Sequence, residues 1–190
     1  MKCAFLVTGP PGCGKTTLLR RVAAELPLRA GGFYTEEIRH GGQRRGFRLL
    51  TLDGQDAVLA SVDLLGPPRV GKYGVDVAAL ERVGVPALEE AAASADVVVV
   101  DEIGKMEMAS PHFCRAVEAA LDAGCCLLGS ILLAPHSWAD ALKARPDVLV
   151  VGLTPGERER TRERLAALVR ECVERRRRER RAGTAQADPP

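Results

Sequence analysis

The sequence predicts an α/β fold in which helices cover both faces of a parallel sheet. Short apolar runs alternate along the chain with segments whose apolar residues recur at helical spacing. The run 97–100 consists of four valines, as expected for a strand buried on both faces at the centre of such a sheet. A glycine-rich motif at 9–16 joins the first apolar run, 3–7, to the first helical segment. These observations together favour a sheet that binds a ligand where its strands end.

The length and composition indicate one globular domain. With 190 residues, we expect a single domain over residues 1–181, a β-rich insertion at 27–75, and a disordered tail at 182–190. Hydrophobic residues make up 46% and charged residues 27% of the chain, and no apolar run approaches the roughly 18 residues of a membrane span. The first strand begins too near the N-terminus to leave room for a signal peptide. We therefore expect a cytoplasmic protein without a membrane partner; the sequence leaves the oligomeric state open.

The motif at 9–16 matches the G-x-x-x-x-G-K-[ST] pattern of a phosphate-binding loop (P-loop) at every position. In such a loop, backbone amides and the N-terminal end of the following helix bind phosphate oxygens. We expect Lys15 to contact the β and γ phosphates, the Thr16 hydroxyl to ligate Mg²⁺, and Thr17 to contact the α phosphate. A chance glycine-rich turn is disfavoured by the position of the motif between a strand and a helix. The predicted nucleotide-binding residues in this segment are Gly9, Pro10, Pro11, Gly12, Cys13, Gly14, Lys15, Thr16 and Thr17.

The segments after the motif suggest one helix, then short strands, then two more helices. Apolar residues at helical spacing end at Leu26 and complete the first helix. The β-rich insertion contains predicted strands joined by glycine turns, and its charged residues are expected on a solvated hairpin face. The predicted segments are strands at 31–37, 46–52 and 57–61, a loop at 66–68, and helical stretches at 75–83 and 87–93.

The valine strand ends in two carboxylates, Asp101 and Glu102. Because ligands of open α/β sheets bind at the carboxyl ends of the strands, this pair is expected beside the phosphate-binding loop. Asp101 is predicted to hold Mg²⁺ through a coordinated water, with Thr16 as the other metal ligand. Glu102 is predicted to orient and polarise the water that attacks the γ phosphate. The alternative role, capping the next helix, is disfavoured beside a phosphate-binding loop, and the acidic pair favours hydrolysis over transfer to an acceptor.

Lys105 has two interpretations. Three positions after Glu102, it can contact the γ phosphate and stabilise charge in the transition state, which would make it a catalytic residue. It can equally form an ion pair with Glu107 or Glu102.

The C-terminal region carries a strong positive charge. Residues 175–181 comprise six arginines and one glutamate, whereas the net charge of the whole chain is only +2. Such a run can bind nucleic acid, but no aromatic side chains interleave with the arginines to stack on bases. The solvated end of a helix is therefore favoured, and nucleic acid stays a less favoured partner.

Five segments in a fixed order make the sequence more specific. They are residues 9–17, 32–39, 46–47, 70–76 and 101–107. In them the chain resembles the small nucleoside-triphosphatase family, which occurs from thermophilic prokaryotes to vertebrates and whose vertebrate member is called cancer-related nucleoside-triphosphatase. The resemblance covers residues 3 to about 160. It implies a RecA-like α/β fold and Mg²⁺-dependent hydrolysis of ATP, GTP and other nucleoside triphosphates, CTP and UTP included, to the diphosphate and phosphate. It also offers contact of Glu36, Glu37 and Arg39 with the rim of the active site as an alternative to the solvated hairpin face.

Two departures from the family pattern bear on the nucleotide site. Where family members commonly carry Thr-x-x-Asn-Arg, residues 154–158 keep Arg158 but have Glu157 in place of asparagine. The resemblance implies that Arg158 binds the nucleotide. The change from asparagine to Glu157 means that the base preference of the family does not carry over to this chain. The family's Gly-Thr-Ile is Gly-Ser-Ile at 129–131, where the Ser130 hydroxyl can still sense the γ phosphate.

Two other functions stay open. A nucleoside or nucleotide kinase would share the loop and Lys15 but would need an acceptor pocket and an arginine-bearing lid. The arginines at 158, 160, 162 and 164 recur every second residue in a charged helical run, which favours a solvated helix over a lid. A nucleic-acid-dependent nucleoside-triphosphatase would use the arginine run at 175–181 and would bind RNA or DNA in a salt-sensitive way.

Overall fold

A mixed sheet of nine strands organises the part of the chain that the computed structural model describes, residues 2–185. The strands are β1 (Ala4–Thr8), β2 (Ala30–His40), β3 (Gln43–Thr51), β4 (Asp56–Ser61), β5 (Arg69–Val70), β6 (Tyr73–Val75), β7 (Val97–Ile103), β8 (Leu127–Ile131) and β9 (Val148–Gly152). The helices are α1 (Lys15–Glu25), α2 (Val77–Ala79), α3 (Val85–Ser94), α4 (Pro111–Asp122), α5 (Ser137–Lys143) and α6 (Arg158–Ala185). A π-helical turn, Leu80–Gly84, joins α2 to α3.

The strand order is β5-β6-β4-β3-β2-β7-β8-β1-β9. The strands from β2 to β9 in this order are parallel to one another, and β3, β4, β6 and β5 add antiparallel strands beyond β2. The predicted α/β fold with a parallel-containing sheet is therefore confirmed. Because β3 pairs with β2, and β4, β6 and β5 follow in that order, the β-rich segment belongs to the same sheet.

The central strand β7 shows why the sheet is buried on both faces. Its valines alternate, so Val98 and Val100 join the core formed with α3 and α4, whereas Val97 and Val99 face the core formed with α1 and α6. All four valines are at most 3% exposed. This packing fixes the position of the residues that follow at the carboxyl end of β7.

Two boundaries differ from the sequence predictions. The helix expected at 75–83 begins at Val77, because Asp76 caps it by accepting a hydrogen bond from the Ala79 amide at 2.8 Å, and Tyr73–Val75 is a strand instead. Helix α6 continues to Ala185, into the segment 182–190 that was expected to be disordered. The remaining residues of that segment, 186–190, lie outside the described residues. None of the helices within residues 2–185 has both the length and the hydropathy needed to cross a membrane.

Candidate active site

A glycine-rich loop, residues 9–14, connects β1 to α1. Gly14 adopts a left-handed conformation (φ 96°) just before the helix, and a Cβ there would lie 3.3 Å from the Arg158 Nε. A side chain at this position would therefore be both strained and crowded. The first residue of α1, Lys15, folds back over the loop and donates from its Nζ to the Gly9 carbonyl at 3.2 Å. The loop thus presents its backbone, the helix N-terminus and one ammonium group at the same place.

Asp101 lies near this loop but is almost fully buried, with 1% of its surface exposed. The Ser130 hydroxyl on the neighbouring strand β8 donates to Asp101 Oδ1. The other carboxylate oxygen, Oδ2, is buried and has no hydrogen-bond partner among residues 2–185. Burial raises the pKa of Asp101, and hydrogen bonds from Ser130 and Thr16 and the charge of Lys15 oppose that rise. The unpartnered oxygen therefore lacks the positive or donor group that a buried carboxylate needs.

Glu102 turns toward the loop, one residue further along the chain. Burial raises the pKa of its carboxyl, the Lys15 charge lowers it, and the Asp101 charge raises it again. The Glu102 carboxyl therefore lies near the positive charge of Lys15, yet its pKa stays raised. Such a group is suited to accept a proton from, or to orient, a bound water.

A cleft of about 740 Å³ brings most of the predicted site residues together. Its walls contain Lys15, Thr16 and Thr17 from α1, Pro11, Gly12 and Gly14 from the loop, and Glu102 from β7. Other predicted residues stand outside it. Cys13 and Asp101 are buried, and the Gly9 carbonyl accepts the hydrogen bond from Lys15. Pro10 is exposed at the tip of the loop.

Two predicted residues lie at the margin of this cleft. Arg158, at the start of α6, donates from its Nε to the Cys13 carbonyl at 3.0 Å and so contacts the outer side of the glycine-rich loop. Lys105 is exposed and lines a smaller adjoining pocket of about 230 Å³ that it shares with Glu102 and Glu107. Of the arginines considered for a lid, Arg162 pairs with Glu159 at 2.6 Å and with Glu25 of α1.

The oxygens beside the cleft fit a hard divalent cation. The buried Oδ2 of Asp101 lacks a partner, and the Thr16 hydroxyl lies close enough to that carboxylate to lower its pKa. Mg²⁺ prefers such oxygen ligands and is commonly held by one or two protein groups together with waters and substrate phosphates. Within residues 2–185 no cluster of three or more His, Cys, Asp or Glu side chains offers an alternative metal site.

Comparison with known proteins agrees with this geometry. The protein family described as NTPase matches residues 4–166. The Thermotoga maritima protein named nucleoside-triphosphatase THEP1 is 44% identical over 154 residues, which cover 81% of this chain and 88% of that protein. The human protein named cancer-related nucleoside-triphosphatase is 41% identical over 169 residues, covering 80% and 88% of the two chains. The crystal structure of THEP1 from Aquifex aeolicus superimposes with a TM-score of 0.80 at 34% identity, covering 89% of this chain and 99% of that one.

The chain belongs to the NTPase family. It is a hydrolase of the nucleoside-triphosphatase type, as the resemblance in the sequence implied.

The opposite wall of the cleft comes from the β2–β3 hairpin, whose charged residues were expected on a solvated face, with the rim of the active site as the alternative. Residues 35–37 of β2, with Arg44 and Phe47 of β3, line the cleft opposite the glycine-rich loop. Strand β2 has 11 residues, and it pairs with β7 only from Ala30 to Tyr34. The rest of the strand continues past the carboxyl end of the parallel sheet and so stands over the site.

Ion pairs connect this hairpin to α1. Glu36 lies 2.6 Å from Arg20 of α1 and 3.0 Å from Arg48 of β3, and these hydrogen bonds lower the pKa of Glu36. The Arg20 guanidinium also stands over the Tyr34 ring, 4.8 Å from its centroid. Arg20 follows Thr16 by one helical turn, so the bridge joins the hairpin to the part of α1 that begins the site. The match of residues 32–39 to the family pattern was the available sequence signal for this wall.

Proposed function

We propose that the chain is a Mg²⁺-dependent nucleoside-triphosphatase that hydrolyses ATP, GTP, CTP and UTP to the diphosphate and phosphate. Its fold would be that of a P-loop NTPase with a RecA-like sheet. One domain would span residues 1–181 and include the β-rich insertion at 27–75. The observation that carries the proposal is the meeting, around one cleft, of the glycine-rich loop, Lys15 and Glu102, with Asp101 buried directly before Glu102 on β7. The unpartnered Oδ2 of Asp101 supports the metal part of the proposal.

Each residue then has a defined task. The backbone amides of residues 12–16 and the Lys15 ammonium bind the β and γ phosphate oxygens. Asp101, held by Ser130, and Thr16 hold Mg²⁺, which when bound neutralises charge on those oxygens. Glu102 orients the attacking water in line with the γ phosphate and accepts its proton. Little covalent chemistry is required of the protein, because positioning and charge stabilisation supply most of the catalysis in phosphoryl transfer.

Phosphate release from ATP, GTP, CTP and UTP, measured with Mg²⁺ and with EDTA in its place, tests this function. We expect release from all four triphosphates only when Mg²⁺ is present, because the cleft offers a phosphate site and no evident requirement for one base. Binding of nucleotide without release of phosphate would contradict hydrolysis and would favour a kinase that lacks its phosphate acceptor in the assay. Release in EDTA at the Mg²⁺ rate would contradict the metal assignment.

Lys105 is proposed as a further catalytic group, because it lines the small pocket that opens beside Glu102. We expect Lys105→Ala to lower kcat by about 10- to 100-fold while KM changes little, since the lost charge would act on the transition state. The matched control is Lys143→Ala, which removes a lysine paired with Asp140 on α5. An unchanged kcat in Lys105→Ala would show that Lys105 is an exposed surface residue without a catalytic role.

A further inference from the structure

Glu107 is a buried carboxyl group that the mechanism above does not use. It lies in the short 3₁₀ turn Glu107–Ala109 between β7 and α4, and only 4% of its surface is exposed. It also forms part of the small pocket that contains Glu102 and Lys105. Burying a carboxyl group is costly unless the group is hydrogen-bonded, paired with a cation or uncharged. The turn that carries it begins only five residues after Glu102.

Gly104 shows how closely Glu107 approaches Glu102. A Cβ on Gly104 would lie 2.9 Å from Glu107 Oε2, 3.4 Å from Glu102 Cγ and 3.6 Å from Glu102 Cδ. The two glutamate side chains therefore crowd the same side of Gly104, and a side chain there would displace one of them. Glycine at this position lets the two carboxyl groups lie next to each other.

The backbone around Glu107 forms a hydrogen-bonded turn that follows Glu102. The backbone amides of Glu107 and Gly104 lie close enough to the Glu107 carboxyl to lower its pKa. The turn is closed by hydrogen bonds from the Met108 amide to the Gly104 carbonyl at 2.9 Å and from the Ser110 amide to the Glu107 carbonyl at 3.0 Å. Ser110 then caps α4 by accepting from the Phe113 amide. The backbone from Gly104 to the start of α4 is therefore held by hydrogen bonds before and after Glu107.

The surroundings of Glu107 favour the uncharged acid. Burial raises its pKa to about 8, the two backbone amides lower it, and the negative charges of Glu102 and Asp101 raise it. Lys105 lines the same pocket, and the pocket walls from other elements, Thr35, Phe47, Val70 and Leu132, carry no charge. A negative charge on Glu107 would therefore stand beside the Glu102 carboxylate with little to compensate it.

We propose that Glu107 is a positioning residue for Glu102. It occupies the space beside Gly104 and Glu102, and so limits how far the Glu102 side chain, which lines both the cleft and the small pocket, can turn away from the cleft. This inference rests on the catalytic role of Glu102 under the proposed function. Glu107 itself contacts neither substrate nor metal in this role.

The test compares Glu107→Gln with Glu107→Ala, with Glu89→Ala on the exposed face of α3 as control. Glutamine keeps the size and the acceptor oxygen and cannot ionise, so we expect its kcat at pH 7 to stay within about threefold of the native value. Alanine empties the space beside Glu102, and we expect kcat to fall about 10- to 100-fold with nucleotide affinity nearly unchanged, because small displacements of a catalytic group are costly. In the native chain, kcat should decline above pH 8 as Glu107 ionises, and Glu107→Gln should lose that decline.

Stability gives a second readout. Folding raises the pKa of Glu107 from the usual 4.5, so the native chain holds a proton that the unfolded chain has released between about pH 4.5 and 8. The native chain should therefore lose stability as the pH rises through that range. We expect the Tm of Glu107→Gln to depend less on pH in the same range.

The outcomes that overturn the proposal are distinct from those that overturn the proposed function. If Glu107→Ala lowers Tm but keeps the native kcat, or if Glu107→Gln is as impaired as Glu107→Ala, Glu107 does not position Glu102 as an uncharged group. In the double variant with Glu102→Gln, Glu107→Ala should cause little further loss of kcat, and a full additional loss would also contradict positioning through Glu102. A native rate in Glu102→Gln alone would overturn the role of Glu102 and this proposal together.

Discussion

Glu102→Gln is expected to lower kcat by about 10²- to 10⁴-fold and to leave nucleotide binding intact. Glutamine has the size of glutamate, so the wall of the cleft should keep its shape. It lacks the negative charge and the proton acceptor that would orient and activate the attacking water. The loss should therefore fall on turnover, and affinity for the nucleotide can rise because one negative charge beside the γ phosphate is removed.

Single-turnover phosphate release and binding of a fluorescent nucleotide analogue separate the two effects. We expect Glu102→Gln to bind the analogue with Mg²⁺ at least as tightly as the native chain and to release phosphate very slowly. Glu89→Gln, which changes an exposed glutamate on α3, is the matched control for loss of one carboxylate. Normal hydrolysis by Glu102→Gln would show that another group activates the water.

The parts of this site that are continuous in sequence could be predicted, and the parts that depend on distant contacts could not. The glycine-rich loop and the end of β7 each carry their chemistry within a few consecutive residues, so the pattern of residue types indicated phosphate and metal binding directly. The bridge from Arg20 to Glu36 joins α1 to the hairpin across 16 residues, and the same charges also suit a solvated surface. Its place in the cleft wall depends on how far β2 extends beyond β7.

Burial was the other property that the sequence did not reveal. Glu107 stands in a run with Lys105 and Met106 that suggested an exposed ion pair, yet it is buried whereas Lys105 is exposed. A glutamate in a short polar segment gives no periodic signal of burial, because the turn is too short to have a buried face. The fold itself was easier to predict, since the valines of β7 alternate between two cores that the α/β pattern already required.

Lys15→Ala is expected to remove most productive binding of nucleoside triphosphates. Hydrogen bonds to charged groups contribute about 1.5–3 kcal/mol each, so the loss of one phosphate contact corresponds to about 10- to 150-fold weaker binding. Because Lys15 would also stabilise charge that develops on the γ phosphate, kcat/KM should fall further, by about 10³-fold or more in total.

The nucleotide-free chain should respond to the same change. The Lys15 charge lowers the pKa values of both Asp101 and Glu102, and its removal leaves two neighbouring buried carboxyl groups without their nearest cation. Those groups should then bind protons more readily, which weakens both metal binding by Asp101 and activation of water by Glu102. Lys15→Arg tests whether charge alone is sufficient. We expect it to recover little activity, because the planar guanidinium cannot replace a compact ammonium held 3.2 Å from the Gly9 carbonyl.

Isothermal titration with ATP and Mg²⁺, together with phosphate release over a range of ATP concentrations, measures both losses. Lys143→Ala, on α5, is the control for removing one lysine. Native affinity in Lys15→Ala would mean that backbone amides alone hold the phosphates, and the role of Lys15 would then be confined to catalysis. Native affinity and native turnover together would contradict the assignment of residues 9–16 as the phosphate site, because Lys15 is the one full positive charge within that segment.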